Sequence, residues 1–233
     1  MKTIHGTISG ACHFRNCAFG GGRQRRHDAV VRAWAFVLRM AGLKPLLGDE
    51  TLFSSLGLVG PGDHRSCDLV VSMGGKLLLF DVAISSPFQQ TPHVTATAAT
   101  ALAAWADATA KKKLTKYLPA ISCLHEALAR GLEVVPLAYD ALGAPSSSSK
   151  SFLDRVGALV APARQDHFYS VSTLLLGVAL QKDTAAIILR RSESSLLGDF
   201  SYDDVDLLTW TELCGTDWTT VDCGRGPPGN PAD

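Results

Sequence analysis

The chain has 233 residues, of which 46% are hydrophobic and 19% charged, and its formal net charge is zero. This length and composition exclude a wholly disordered protein and favour one sizeable α/β domain with short appendages. The longest apolar run, at 171–180, has about half the length of a membrane span, so we expect no membrane partner. Six cysteines without a framework spacing favour free thiols in a reducing, intracellular compartment.

The zero net charge conceals an uneven distribution along the chain. Lys and Arg exceed Asp and Glu in residues 1–120, whereas the acidic residues are in excess in the remainder. A basic half predicts a polyanionic partner for that half. Ordinary helices with solvated charges would give the same count, so the asymmetry supports this prediction without establishing it.

A candidate zinc site lies in residues 1–24, which we interpret as an N-terminal arm. Cys12, His13 and Cys17 are nitrogen and sulfur ligands of the kind that tetrahedral zinc prefers. His27 is a fourth candidate farther along the chain. However, the spacing matches no complete zinc knuckle, and no Cys-x-x-Cys pair is present. We therefore do not expect this chain alone to hold zinc as a cofactor.

The sequence GGGRQRRH at 20–27 is typical of a flexible loop. Such a loop would bring Arg23, Arg25 and Arg26 to a negatively charged partner. From Asp28 onward, apolar residues recur at helical spacing as far as Gly42, a residue type that commonly follows a helix end. We expect this helix to cover one face of a sheet.

Two apolar runs, LVVSM and KLLLFDVAI, flank a Gly-Gly pair at 74–75. Paired glycines in this setting predict a two-residue hairpin turn, because glycine adopts the positive φ angles of such a turn without strain. If both glycines are turn residues, Met73 lies opposite Lys76, and counting outward places Asp68 opposite Asp81. Both strands are apolar on both faces, which is typical of a buried sheet.

Two carboxylates that face each other in a buried sheet indicate a cation between them. Like charges are destabilising at this separation, and an unpaired carboxylate is costly to bury. Binding of Mg²⁺, or Mn²⁺, to Asp68 and Asp81 would offset both effects. Two alternatives remain open: the strand register slips, or one of the two aspartates caps a strand.

An alanine-rich segment from about residue 96 to residue 118 predicts a long helix, which Pro119 would end. Lys113, Lys116 and Tyr117 lie three and four residues apart in this segment, so their side chains project from one side of the helix. A lysine near the two aspartates is therefore available from this helix.

The run GLEVVPLAYD at 131–140 predicts a buried strand, giving the order strand, helix, strand that builds a parallel connection. Two further helices are predicted at 151–160 and 170–191. The predicted fold class is therefore α/β, with a central mixed sheet flanked by helices, and its domain spans residues 25–191. Residues 192–233 are acidic and end in a Gly- and Pro-rich tail, which is typical of a partly disordered appendage.

These residues suffice for metal-dependent phosphodiester hydrolysis. Asp68 and Asp81 would hold the cation through oxygen atoms and leave coordination positions for water and a phosphate oxygen. A nearby lysine would offset the negative charge that develops on the phosphate. Arg25, Arg26 and neighbouring basic residues would hold the nucleic-acid backbone in a salt-sensitive, sequence-independent contact.

Several short motifs recur in one known family. They are Arg65 and Asp68, then Asp81 thirteen positions after Asp68 with the sequence VAI, and then a Lys-x-x-Lys-Tyr helix. Upstream lie the GGGR run and an Arg-His-Asp triplet at 26–28. With these motifs the chain, over about residues 12–191, resembles the restriction-enzyme-like endonuclease domain of non-LTR retrotransposons, which belongs to the PD-(D/E)XK nuclease superfamily.

The resemblance implies a restriction-endonuclease-like core and a nuclear enzyme that nicks target DNA so that a neighbouring reverse transcriptase can prime on it. It implies that Asp68 and Asp81 hold Mg²⁺. The superfamily's usual lysine, two residues after the second acid, is replaced by Ala83, and Cys67 stands where proline is usual. The family tolerates the first change by taking the lysine from the following helix. The implied catalytic lysine is Lys113 or Lys116, and the implied nucleic-acid contacts are Arg23, Arg25, Arg26, His27, Arg65 and Tyr117.

Three functions are thus open on sequence alone. The first is a Mg²⁺-dependent endodeoxyribonuclease. The second is a catalytically inactive nucleic-acid-binding module with the same fold. The third is an α/β structural domain whose acidic residues are incidental, which a placement of Asp68 and Asp81 on opposite faces of the sheet would favour.

Overall fold

The computed structural model describes residues 22–48, 67–85, 103–122 and 131–193. They form an α/β structure in which a four-stranded mixed sheet is flanked by helices. The chain divides into two compact units, Met1–Leu196 and Leu197–Asp233, and all of the described residues lie in the first. Within the described ranges, no helix is long and apolar enough to cross a membrane.

The elements follow in the order α1 (Gly22–Met40), β1 (Leu46–Leu47), β2 (Leu69–Met73), β3 (Lys76–Ser85), α2 (Ala104–Ser122), β4 (Leu132–Asp140), α3 (Ser147–Gly157) and α4 (Gln165–Glu193). A 3₁₀ turn at Pro162–Arg164 precedes α4. The strand order in the sheet is β1-β2-β3-β4, with antiparallel pairing up to β3 and parallel pairing of β3 with β4. The predicted parallel connection is confirmed, and α2 lies in the crossover that it requires.

The β2–β3 hairpin turns at two glycines whose φ angles are positive, 59° at Gly74 and 74° at Gly75. Both angles lie in the left-handed region that a two-residue hairpin turn uses. Met73 pairs with Lys76, and the register continues without a slip to the start of β2. The predicted turn is confirmed, and the predicted register holds from Met73 with Lys76 to Leu69 with Phe80.

Both faces of the central strands are covered, because alternate side chains of β3 point in opposite directions. Leu79 packs with Tyr117 of α2 on one face. Phe80 points to the other face, where its ring centroid lies 4.8 Å from that of Phe152 in α3. Trp34 of α1 lies 5.7 Å from the same Phe152 ring and is fully buried. The apolar runs on both strand faces therefore reflect a buried sheet, as predicted.

Helix α1 begins at Gly22, so the flexible-loop prediction is wrong from that residue onward. The three arginines of the run lie on the first turns of this helix. Arginine and glutamine are good helix formers, and Gln24 Nε2 donates to Asp28 Oδ1 at 2.7 Å one turn later. These local contacts extend the helix toward the glycine run.

Helix α2 ends at Ser122, so Pro119 does not end it as predicted. A proline in the last turn of a helix removes one hydrogen bond. Close packing on the sheet outweighs this loss, since Ala110 lies in one buried cluster with Ala83 of β3 and Ala138 of β4. Residues 96–102 of the predicted helix lie outside the described residues.

Gly48 lies where the chain after β1 approaches the start of β2. Its N–H donates to the Asp68 carbonyl oxygen at 2.9 Å. A Cβ at this position would lie 2.0 Å from the Cys67 carbonyl oxygen and 2.8 Å from its Sγ. Because the nearest obstacle is backbone, which cannot rotate aside, Gly48→Ala is expected to lower the free energy of unfolding by about 2–3 kcal/mol.

Gly177 in the interior of α4 offers a matched control, since an added Cβ there meets nothing within 4 Å. Gly177→Ala is expected to raise the free energy of unfolding by about 0.5–1 kcal/mol through helix propensity. Urea denaturation measures both changes. An unchanged midpoint in Gly48→Ala would contradict the close approach of Gly48 to Cys67.

Candidate functional site

The two aspartates of the hairpin lie near each other at the end away from the turn. Asp68 immediately precedes β2, and its N–H donates to the Phe80 carbonyl oxygen at 2.7 Å. The paired register ends at Leu69 with Phe80, and this bond joins Asp68 to Phe80 rather than to Asp81. The strand pairing therefore does not continue to the predicted Asp68–Asp81 pair. The Asp68 carboxylate nevertheless lies beside Asp81, because its Oδ2 accepts a hydrogen bond from the N–H of Val82, the next residue in β3.

The Asp68 carboxylate is held by a backbone amide and an imidazole. Its Oδ2 accepts a hydrogen bond from the Val82 N–H at 2.6 Å and lies 3.3 Å from His27 Nε2. Because Val82 follows Asp81 in β3, the carboxylate caps the end of the β2–β3 ladder. The strand-capping alternative therefore describes Asp68. This capping role is compatible with cation binding, because Asp68 Oδ1 accepts no hydrogen bond from the described residues.

His27 lies between two carboxylates, with Nε2 3.3 Å from Asp68 Oδ2 and Nδ1 3.2 Å from Asp28 Oδ1. The hydrogen bond to Asp68 raises the pKa of His27 from 6.5 to about 9, against the lowering effect of burial. The protonated ring, which donates from both nitrogens, therefore fits this position at neutral pH. His27 holds Asp68, and no sequence spacing signals this contact because the two residues lie far apart in the chain.

The free energy of unfolding is expected to fall as pH rises through the folded pKa of His27. Because folding raises this pKa above 6.5, the contribution is complete below that pH and is lost as pH passes about 9. The loss is on the order of 2 kcal/mol after allowance for partial solvent screening.

Urea denaturation in EDTA between about pH 6 and pH 10 measures this dependence. His27→Gln is expected to flatten the wild-type profile, whereas the same change at the exposed His167 of α4 leaves it intact. Equal pH profiles for His27→Gln and the wild type would contradict the His27–Asp68 contact.

Asp81 is only 5% exposed, and each of its carboxylate oxygens has a donor from α2. Lys113 Nζ lies 2.6 Å from Oδ1, and the Tyr117 hydroxyl donates to Oδ2 at 2.6 Å. Lys113 and Tyr117 are four residues apart, so both project from the face of α2 that packs on the sheet. The ammonium and the hydroxyl together stabilise a carboxylate that would otherwise be costly to bury.

Tyr117 is a donor to Asp81 under all ordinary conditions. Burial, and then the Asp81 charge, raise the pKa of Tyr117 far above its ordinary value. The residue is 3% exposed, so its ring offers no surface to a nucleic acid. We therefore assign Tyr117 to holding Asp81 rather than to the predicted nucleic-acid contact. The four-residue spacing from Lys113 is the sequence signal for this role.

The structure separates the two candidate lysines. Lys113 contacts Asp81, whereas Lys116 is exposed and lies beside Tyr117, with Nζ 3.4 Å from its hydroxyl and 5.0 Å from its ring centroid. Of the two, Lys113 is therefore the lysine that the fold brings into direct contact with the aspartate pair.

The predicted nucleic-acid-binding arginines of α1 differ in exposure. Arg25 on α1 is partly exposed, whereas Arg26 is only 3% exposed and is therefore not available to a phosphate in this arrangement. Arg23 lies on the first turn of the same helix. Arg65, and the zinc candidates before residue 22, lie outside the described residues.

The donor set suits a hard divalent cation, although it is small. The described residues contain no cluster of three or more His, Cys, Asp or Glu side chains that could hold a metal ion. Asp68 and Asp81 supply two carboxylates from neighbouring strands, and Mg²⁺ in proteins is commonly held by one or two carboxylates together with water and phosphate oxygens. The positive charge that now faces Asp81 is the Lys113 ammonium. A cation held by these two carboxylates would therefore need most of its ligands from water or from a bound molecule.

No family model matches the sequence, and a comparison with curated proteins found no match. The interpretation of the site therefore depends on its geometry and on the short motifs that carry the resemblance.

Proposed function

We propose that this chain is a Mg²⁺-dependent DNA endonuclease with a restriction-endonuclease-like core. The observation that carries the proposal is the buried Asp81 carboxylate, which lies 2.6 Å from the Lys113 ammonium and next to Val82, whose N–H donates to Asp68. Two carboxylates can hold a metal ion, and a lysine can stabilise the charge that develops when a phosphodiester is hydrolysed. The motif resemblance selects DNA as the substrate, with a reverse transcriptase as a partner of the parent element.

Each residue has a separate task in this proposal. Asp68 and Asp81 would hold Mg²⁺, which supplies a bound water of lowered pKa and offsets phosphate charge. Lys113 places an ammonium beside the reacting phosphate and stabilises the charge that develops there. Tyr117 and His27 are positioning residues, because each donates to one of the two carboxylates. The task of the protein is thus to fix two carboxylate orientations before substrate binds.

A second function, an inactive nucleic-acid-binding module with the same fold, is favoured by one observation. Both oxygens of Asp81 and one oxygen of Asp68 already accept bonds from groups of the chain itself. A site whose carboxylate oxygens are already hydrogen-bonded keeps its fold without a cation. In that case the aspartates would have a structural role only.

Plasmid nicking distinguishes the two functions. Purified wild-type chain is incubated with supercoiled DNA in Mg²⁺, in Mn²⁺ and in EDTA, and the Asp81→Asn protein is carried through the same purification to reveal a contaminating nuclease. The nuclease predicts open-circular product with either cation from the wild type alone. Steeply salt-dependent DNA binding without product in any buffer would instead favour the inactive module.

A further inference from the structure

A groove on the outer side of α2 is lined by lysines that do not contact Asp68 or Asp81. Its volume is about 580 Å³. We call it the lysine groove, and its lining residues are Ala108, Lys111, Lys112, Thr115 and Lys116.

The groove lies on the side of α2 opposite to the sheet. Residues that pack inward, such as Ala106, Ala110 and Tyr117, recur at three- and four-residue spacing and are buried. The groove residues fall between them in the helical repeat, and Lys111, Lys112 and Lys116 are exposed. One helix therefore presents Lys113 to Asp81 on its inner side and a row of lysines to solvent on its outer side.

Two lysines of the groove lie apart from the carboxylates of the described residues. None of those carboxylates lies within ion-pair distance of Lys111 or Lys112, and the Lys112 ammonium lies 5.9 Å from the centroid of the Trp105 ring. Asp107, one turn before Lys111, is held elsewhere because its Oδ1 accepts bonds from the N–H and hydroxyl of Ser147. The groove thus attracts anions.

We propose that the lysine groove binds the phosphate backbone of duplex DNA. This inference names the substrate-binding surface of the proposed nuclease and rests on that proposal for its choice of ligand. Among the groove lysines, Lys116 lies next to the site, since it donates to the Tyr117 hydroxyl, which in turn donates to Asp81.

Dimensions and charge support a polymer as the occupant rather than a small anion. Residues 108–116 extend over about 12 Å of helix axis. A duplex carries about seven phosphate charges over that length, half of them on each strand. Lysines distributed along the helix match a row of phosphates, whereas one phosphate ion would engage only part of the groove. The openness of the groove to solvent suits a rod-shaped ligand that lies across it.

Salt-dependent binding tests the proposal with the double variant Lys111→Ala/Lys112→Ala. Fluorescence anisotropy with a labelled duplex of mixed sequence is measured in EDTA, where no cleavage occurs. Each lost phosphate contact lowers the salt slope by about one, so the slope is expected to fall by about two. Affinity near physiological salt is expected to fall about tenfold. Lys150→Ala/Arg164→Ala, which removes the same charge from exposed positions of α3 and the 3₁₀ turn, is expected to bind as the wild type does.

The outcomes separate this inference from the proposed nuclease activity. Binding of duplex by the wild type with a reduced slope in the double variant supports the groove, even if no protein nicks DNA. Equal slopes in the double variant and the wild type would overturn it, as would a wild type that binds no duplex. Nicking by the wild type together with unchanged DNA binding by the double variant would reject DNA binding by the groove but not the proposed nuclease activity. Matching thermal melts show that the variants are folded.

Discussion

Asp81→Asn is expected to lower Mg²⁺-dependent nicking of DNA by about 10³-fold or more. The substitution keeps the shape of the side chain but replaces an anionic oxygen by an amide. A neutral side chain attracts a divalent cation weakly, and it no longer pairs with the Lys113 ammonium that now lies 2.6 Å from Oδ1. Tyr117 retains an acceptor if the amide oxygen faces its hydroxyl. The variant should therefore fold while losing both the metal ligand and the orientation of the lysine.

Binding of DNA by Asp81→Asn is expected to stay within about threefold of the wild type, because the lost charge is a carboxylate rather than a cation. Asp107→Asn is the matched control. Asp107 also belongs to α2, but its carboxylate accepts hydrogen bonds from Ser147 and does not contact Asp68 or Asp81. It is expected to nick DNA as the wild type does. Nicking by Asp81→Asn at the wild-type rate would reject the proposed metal site.

The hairpin was predictable from sequence because its determinants are local. Two glycines supply the positive φ angles of the turn, and a period of two residues then fixes which positions face each other. This count gives the observed pairs from Met73 with Lys76 to Leu69 with Phe80, but the hydrogen bond from Asp68 to Phe80 departs from it at the next position. The parallel β3–β4 pair was likewise predictable, since a helical segment separates two apolar strands.

Two element bounds differ from the sequence prediction for different reasons. The glycine run before Arg23 indicates a loop, yet α1 begins at Gly22, where good helix formers and the Gln24–Asp28 hydrogen bond favour a helix. Pro119 indicates a helix end, yet α2 continues to Ser122 while Ala110 packs on the sheet. In α2 the local preference is smaller than the free energy of burying an apolar helix face, and such tertiary contacts are not encoded in local patterns.

The side chains that contact the two aspartates could not be predicted from sequence, because these contacts also depend on how the elements pack together. The contact of His27 with Asp68 joins α1 to the start of β2, and it needs both elements in place before the side chains meet. Helical spacing shows that Lys113 and Tyr117 share a face, but not which face lies on the sheet. The choice between Lys113 and Lys116 is thus a question of helix rotation about its axis, which the buried alanines of α2 settle.

The different positions of Lys113 and Lys116 predict different effects on the kinetics of nicking. Lys113→Ala is expected to lower the kcat of nicking by about 10²- to 10³-fold, because in the proposed nuclease the ammonium that faces Asp81 stabilises the charge on the reacting phosphate. Lys116→Ala removes a cation from the lysine groove and is expected to raise KM several-fold with kcat within about threefold of the wild type. Lys113→Arg, which restores the charge with a different shape, is expected to recover part of the lost rate.

Steady-state nicking of a plasmid, with DNA concentration varied, separates kcat from KM for all three variants. Loss of Lys113 also leaves the buried Asp81 carboxylate with one donor fewer, at a cost of about 1–3 kcal/mol. Urea denaturation therefore has to show that each variant is folded at the assay temperature. A loss of kcat in Lys116→Ala that exceeds the loss in Lys113→Ala would place the catalytic ammonium on the outer side of α2. The Lys113–Asp81 pair would then serve only to hold the helix on the sheet.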